Sequence, residues 1–337
     1  MNVPYREETH ECMANLPYMS DAALITHLYT ADPSAHVFEG RLYLYPSHDI
    51  DSGLESNDNG DQYAMRDYHV FSLTEIGGPV TDHGVALALE DIPWASAQLW
   101  APDAAYKNER YYLYFPARDK DGIFRIGVAV SNSPSGPFVA DPEPMAGSYS
   151  IDPCSFVDSS NGAAYLYFGG IWGGQLQCWQ GGTFDKNAPV EPTGTVPALG
   201  PRVAKLSDDM RSLASPVTEI TILDEYGNPL KADDHDRRFF EGAWVHQHNG
   251  LYHLSYSTGD THYLVYATSD NPLGPFTYQG RILEPVLGWT THHSIVEFQD
   301  TWHLFYHDAS LSGGVNHLRC VKVKELVCDG EGKLSLA

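Results

Sequence analysis

Short runs of alternating hydrophobic and polar residues, broken every few positions by Gly, Asn or Asp, cover most of the chain and predict strands joined by tight turns. Residues 239–259 show the pattern best. Phe239-Phe240-Glu241-Gly242-Ala243-Trp244-Val245 leads through Asn249-Gly250 into Leu251-Tyr252-His253-Leu254-Ser255-Tyr256. Asn-Gly between two such runs marks a hairpin, because both turn residues must take positive φ. Glu241 opens the first strand beside two phenylalanines. An ionised carboxylate there is costly unless it finds partners or its pKa rises.

The same arrangement of a polar residue, a hydrophobic strand, a turn and an aromatic strand occurs five times, in residues 31–46, 100–115, 151–168, 239–259 and 292–306. A second echo links residues 127–138, ending Gly136-Pro137-Phe138, with residues 264–276, ending Gly274-Pro275-Phe276. Repeats of roughly 40 to 50 residues, each a meander of strands, predict a β-propeller. The expectation is an all-β, five-bladed β-propeller in which residues 1–337 form one catalytic domain without a C-terminal β-sandwich. If each copy begins with the innermost strand of its blade, Asp32, Asp103, Asp152, Glu241 and His292 gather at one end of the central channel. Few stretches could hold a long helix, and the exceptions are short, such as residues 20–27 and 205–213.

Composition agrees, since 21 Tyr, 13 Phe and 7 Trp favour strands while 30 Gly and 22 Pro interrupt longer elements. A net charge of −24 excludes phosphate backbones and anionic membrane surfaces as partners and leaves a neutral or cationic ligand. The five cysteines show no C-x-x-C spacing and read as reduced thiols. Without an apolar leader or a long apolar run, the expected location is the cytoplasm, or outside it if a signal peptide has been removed. Oligomeric state stays open.

Several carboxylates and a histidine at a channel mouth, with no Ser or Cys nucleophile motif, suit glycoside hydrolysis or metal-assisted chemistry. His292 and His293 are adjacent, unlike the i, i+4 pair of a helical zinc site. Glycosidic cleavage needs one carboxylic acid to protonate the leaving oxygen and one carboxylate to activate water.

The ordered set Asp32-Pro33, Trp100-Ala101-Pro102-Asp103, Ile151-Asp152-Pro153 with Phe156 and Asp158, Glu241-Gly242 and His292-His293-Ser294-Ile295 resembles glycoside hydrolase family 43 from about residue 32 to residue 319. The resemblance implies an inverting enzyme that releases terminal β-D-xylose or α-L-arabinofuranose from hemicellulose oligosaccharides. By it, Asp32 is the general base, Glu241 the general acid and Asp152 the carboxylate that modulates the acid's pKa. It also implies that His292 or His293 faces a central calcium ion through water, that Arg319 lies near the substrate or the acid, and that no organic cofactor is used. Ala243 stands where the family commonly has proline, and Thr291 where it commonly has glycine, which leaves open which histidine points inward. Phe38, Trp94, Trp100 and Phe240 are candidate sugar platforms, and Asp103 a further substrate contact. His36 and His48 read as structural. The acidic, Gly-containing residues 49–61 lack EF-hand spacing and read as a solvated insertion. An endo-acting arabinanase, a retaining fructan-processing propeller and a non-catalytic sugar-binding propeller are the alternatives.

Overall fold

Four of the inner hairpins turn over two residues that both take positive φ, namely Glu39-Gly40, Asn108-Glu109, Asn249-Gly250 and Gln299-Asp300. That is type I′ geometry, whose twist matches the right-handed twist of the strands it joins. The turns belong to a computed structural model that describes residues 22–187, 189–329 and 333–337. Its strands form five antiparallel blades around a channel.

Blade I comprises Tyr29–Phe38, Arg41–Asp49, Asp67–Leu73 and Thr81–Ala88. Blade II runs from Asp103–Lys107 through Arg110–Asp119 and Phe124–Ser131 to Val139–Ala140, with Ala95–Ala97 pairing on its second strand. Blade III is Cys154–Val157, Ala164–Phe168, Arg202–Lys205 and Thr218–Glu219. Blade IV is Glu241–His248, Leu251–Ser257, Leu264–Ser269 and Phe276–Leu283, the last flanked in parallel by Ile222–Leu223. Blade V is His293–Phe298, Thr301–Asp308, Cys320–Cys328 and Leu334–Leu336. The first strand of each blade packs on the first strands of its neighbours, and blade I meets blade V, so the ring closes. The segment before blade I and the start of its first strand add to that closure, with Leu24 N–H donating to Val321 and Thr30 N–H to Arg319.

Hydrophobic faces fill the spaces between blades. Leu42, Leu44, Phe71, Phe305 and Val321 are fully buried where blades I and V meet. Trp94 belongs to such a core, stacked on Phe115 at 5.9 Å between ring centroids, and is not a sugar platform on the channel. Residues 205–213 form a turn rather than a helix, and residues 22–27 of the other helix candidate are irregular, its first two residues lying outside the described ones. Cys154, Cys178 and Cys320 are free, buried thiols; Cys12 and the Cys328 side chain fall outside the described residues. Among the described residues, no helix is long and apolar enough to cross a membrane.

Blade IV also buries two histidines without hydrogen-bond partners among the described residues. His246 and His253 face each other across the first two strands, their rings stacked at 4.9 Å. Burial first, and the nearby His248 second, push His253 down from 6.5 to about 4. Between those values the unfolded chain binds the proton and the folded one does not, so stability is lost as pH falls. We expect His253 to cost roughly 3 kcal/mol of stability once pH has dropped from above 6.5 to below about 4. Melting temperature against pH measures this, and His253→Phe should flatten the curve over the same interval.

Candidate active site

The first strands of the blades run in the same direction around the channel, so their first residues share one mouth. Antiparallel pairing returns the second strand of each blade to that mouth at its end. The first carboxylate sits on an irregularity. Asp32 lies where the register of blade I shifts between Ala31 and Ser34, and Glu241 opens a similar shift that ends at Trp244. Such bulges re-aim a side chain at the price of local twist. Asp32 and Asp152 both take positive φ, 48° and 56°, an uncommon conformation for residues other than glycine. Gly242 follows Glu241 at φ 69°, and a Cβ there would stand 3.1 Å from the His292 ring.

Asp32 is held from three sides. Arg319 donates from Nη1 to Oδ1 at 2.9 Å and from Nη2 to Oδ2 at 3.2 Å, and Ser47 Oγ donates to Oδ2 at 2.6 Å. Its own N–H donates to His307 Nδ1 at 3.0 Å. Burial alone would raise the Asp32 pKa, but Arg319, His307, His292 and Ser47 together bring it down to about 2. Asp32 is therefore a carboxylate at any working pH. Arg319 is fixed in turn by Asp49, which accepts from Nε at 2.8 Å, from Nη2 at 2.7 Å and from the backbone N–H at 2.9 Å.

Glu241 has the opposite character. Burial, and then the charge of Asp32, push it up to about 8 against the pull of Arg319. Asp152 also rises well above the ordinary carboxylate range, through burial first and then the charges of Glu241 and Asp32. Gly242 N–H donates to Asp152 Oδ2 at 2.9 Å, and a donor of that kind favours the ionised form. The charge of Glu241 would raise Asp152 further, and Glu241 itself, pushed up to about 8, keeps its proton at neutral pH. One carboxylate and one carboxylic acid therefore face a single cavity, which is the pairing that general acid–base chemistry requires.

The cavity measures about 250 Å³ and is lined by Asp32, Asp152, Glu241, His292 and Arg319 together with an aromatic wall. Trp100 and Phe240, both predicted, are in that wall; Tyr63, Trp172 and Trp289 join them. Phe240, Trp172 and Trp289 pack on one another with centroids 5.2 to 5.8 Å apart. Gly259 makes room for this group, since a Cβ there would lie 2.2 Å from the Phe240 ring.

Several expected site residues lie elsewhere. Phe38 ends its strand at the opposite mouth of the channel, with His36, Tyr106 and Trp302. The Asp103 carboxylate is only 1 % exposed and braces three blades, accepting from Ser34 Oγ at 2.6 Å and Ser155 Oγ at 2.6 Å, and meeting His36 Nε2 at 2.8 Å. It has no reach to a substrate. His293 is buried and bonded to Ser255 Oγ at 2.6 Å, while the neighbouring His292 lines the cavity. The insertion after residue 49 is not merely solvated, because Ser56, Asn57, Asp58, Gly60 and Gln62 form one side of the cavity. Ser47, Asp49 and His307 escaped the sequence reading, although they end the second strands that return to this mouth.

His292 is the residue that an ion could use. Both ring nitrogens are buried without a hydrogen-bond partner among the described residues, and Nε2 lies 3.7 Å from Asp152 Oδ2. Burial lowers its pKa, so the ring is neutral and its lone pair free. One imidazole nitrogen is a sparse protein ligand set for an oxygen-seeking ion such as calcium, whose coordination would then be mostly water.

Comparison with known proteins places this geometry among relatives. The profile described as Glycosyl hydrolases family 43 matches residues 25–332. A "Xylosidase/arabinosidase 43A" of Humicola insolens is 68% identical over 93% of this chain and 98% of its own length. A "Xylosidase/arabinosidase" of Bacteroides ovatus is 55% identical over 91% of this chain and 94% of its own. Among solved structures, a family 43 β-xylosidase/α-arabinofuranosidase from a compost microbial metagenome, in complex with xylotriose and in calcium-free form, superposes with a TM-score of 0.91 at 63% identity, covering 93% of this chain and 97% of that one. An enzyme of the same family from Xanthomonas citri, complexed with xylotriose, gives 0.89 at 58% identity over 93% and 92% of the two chains.

Proposed function

Because this chain belongs to glycosyl hydrolases family 43, we propose that it releases terminal β-D-xylose, α-L-arabinofuranose or both from xylo- and arabino-oligosaccharides, with inversion at the anomeric carbon. The observation that carries the reading is the pairing of Asp32, held ionised, with Glu241, held protonated, around one aromatic-walled cavity. Glu241 gives its proton to the glycosidic oxygen as the bond to the anomeric carbon breaks. A water on the opposite face attacks that carbon and yields a proton to Asp32, and solvent later resets both groups. The charge of Asp152 holds the proton on Glu241 until the leaving oxygen takes it.

The faces of Trp172, Trp289 and Phe240 offer apolar surface for the C–H bonds of a sugar ring, which fits a neutral substrate better than a charged one. Crystals of the relatives from compost and from Xanthomonas citri hold xylotriose, which supports the xylo-oligosaccharide part of the reading. If calcium binds in the channel, His292 and water would hold it, and its charge would favour the ionised form of Asp152 beside His292.

Product analysis tests the proposal. Incubated with xylotriose, arabino-oligosaccharides and p-nitrophenyl xyloside or arabinofuranoside, the enzyme should release monosaccharide from the first minutes, and nuclear magnetic resonance should show the inverted anomer before mutarotation. Oligosaccharide products from arabinan without monosaccharide would instead make it an endo-acting arabinanase. First-formed sugar of retained configuration would overturn the inverting mechanism.

A further inference from the structure

Behind the active site, on blade I, lies a second group of side chains with the chemistry of a metal site. His48 is the next-to-last residue of the second strand, just before Asp49, and Asp67 and His69 lie two apart on the third strand, hence on one face of it. Their ligand atoms all lie within 4.8 Å of one another. His48 Nδ1 is 2.6 Å from Asp67 Oδ1, and His69 Nε2 is 4.0 Å from the same oxygen. All three side chains are half-buried, so an ion could reach them from solvent.

The surroundings of His69 add an independent observation. Its other nitrogen, Nδ1, is bonded to Asp82 Oδ1 at 3.0 Å, and Asp82 is itself fixed by His27 Nε2 at 2.8 Å and by the Gly84 N–H at 2.8 Å. A carboxylate on Nδ1 keeps the proton there and leaves the Nε2 lone pair aimed at Asp67 and His48. Metal-ligating histidines are oriented in this way, with the outer carboxylate raising the basicity of the ligand nitrogen. The rings are also set by packing, His48 and His69 edge to face at 5.1 Å and His69 stacked on Phe71 at 6.0 Å.

From this arrangement we propose that His48, Asp67 and His69 bind a divalent transition-metal ion of the zinc class, with Asp82 orienting His69. Two imidazoles and one carboxylate suit zinc, with water completing the tetrahedron, and suit calcium or magnesium poorly. The ion would take the place of the proton between His48 and Asp67 and clamp the second strand to the third just where Asp49 leaves for Arg319. The net charge of −24 raises the local concentration of cations at every such site.

The test uses the full chain stripped with chelator, then titrated with zinc chloride against a chromophoric zinc indicator, with melting temperatures recorded in parallel. We expect one zinc ion to bind, to raise the melting temperature and to bind equally well in His292→Ala, which separates it from any ion in the channel. His69→Gln should weaken binding at least a hundredfold, and Asp82→Asn by ten- to a hundredfold. Asp67→Asn provides a second ligand change should His69→Gln melt early without metal. Zinc binding at wild-type strength in both ligand variants, or none in the wild type at 100-fold excess of metal over protein, would overturn the proposal.

Discussion

Asp32→Asn is expected to lower turnover of xylotriose by a factor on the order of 10³ while sugar binding changes less than tenfold. An amide has nearly the shape of the carboxylate but cannot take a proton from the attacking water. The structure adds a second consequence. The fork from Arg319 to Asp32, at 2.9 and 3.2 Å, needs two acceptor oxygens, and asparagine offers one. With the folded pKa at about 2 against an ordinary 3.8, ionised Asp32 contributes stability at pH values above the ordinary one, and that contribution is lost as pH falls through 2. Integrated, this is about 2 kcal/mol at neutral pH, so the variant should also melt earlier there. Titration calorimetry with xylose and circular dichroism must therefore accompany the kinetics. A folded Asp32→Asn enzyme with wild-type turnover would remove Asp32 from the mechanism.

The five blade openings were legible in the sequence because turn chemistry and alternation agree in each copy. Asn249-Gly250 can be read as a tight turn on composition alone, and the aromatic strand after it has one compatible register. The failures come from geometry that was available but unused. A strand advances about 3.3 Å per residue, so the six residues from Asp32 to Phe38 span roughly 20 Å. Phe38 therefore had to emerge at the far mouth. The same reasoning finds what was missed. If first strands begin at a mouth, second strands end there, which points to Ser47, Asp49 and His307, and to the loop carrying Trp172 just after Ala164–Phe168.

Other outcomes lay beyond a single sequence. Asp103 opens its strand in the same pattern as Asp152, yet its carboxylate is consumed by Ser34, His36 and Ser155 from two neighbouring blades. No spacing within blade II foretells those partners. The choice between His292 and His293 is likewise one of strand phase, since adjacent residues point to opposite faces, and the phase is set by pairing with Thr301–Asp308. Lack of EF-hand spacing says nothing of whether residues 49–61 line a pocket, and loops on the functional face of a propeller are the usual source of pocket walls.

Glu241→Ala is expected to divide substrates by their leaving groups. Departure of a second sugar needs a proton, whereas an activated phenolate leaves largely unaided, so the variant should lose on the order of 10³ in kcat/KM on xylotriose and about tenfold or less on an activated aryl xyloside. The pH profile gives the same group a second signature. Because Glu241 acts as its acid form, wild-type kcat/KM on oligosaccharides should fall as pH rises through about 8, and that limb should vanish in the alanine variant. Asp152→Ala tests the coupling. Removing a neighbouring negative charge makes Glu241 easier to ionise, so the basic limb should move to lower pH, with a milder version of the same leaving-group dependence. Equal losses on both substrate types in Glu241→Ala, with the basic limb unmoved, would show that Glu241 positions the substrate and that the proton comes from another group in the cavity.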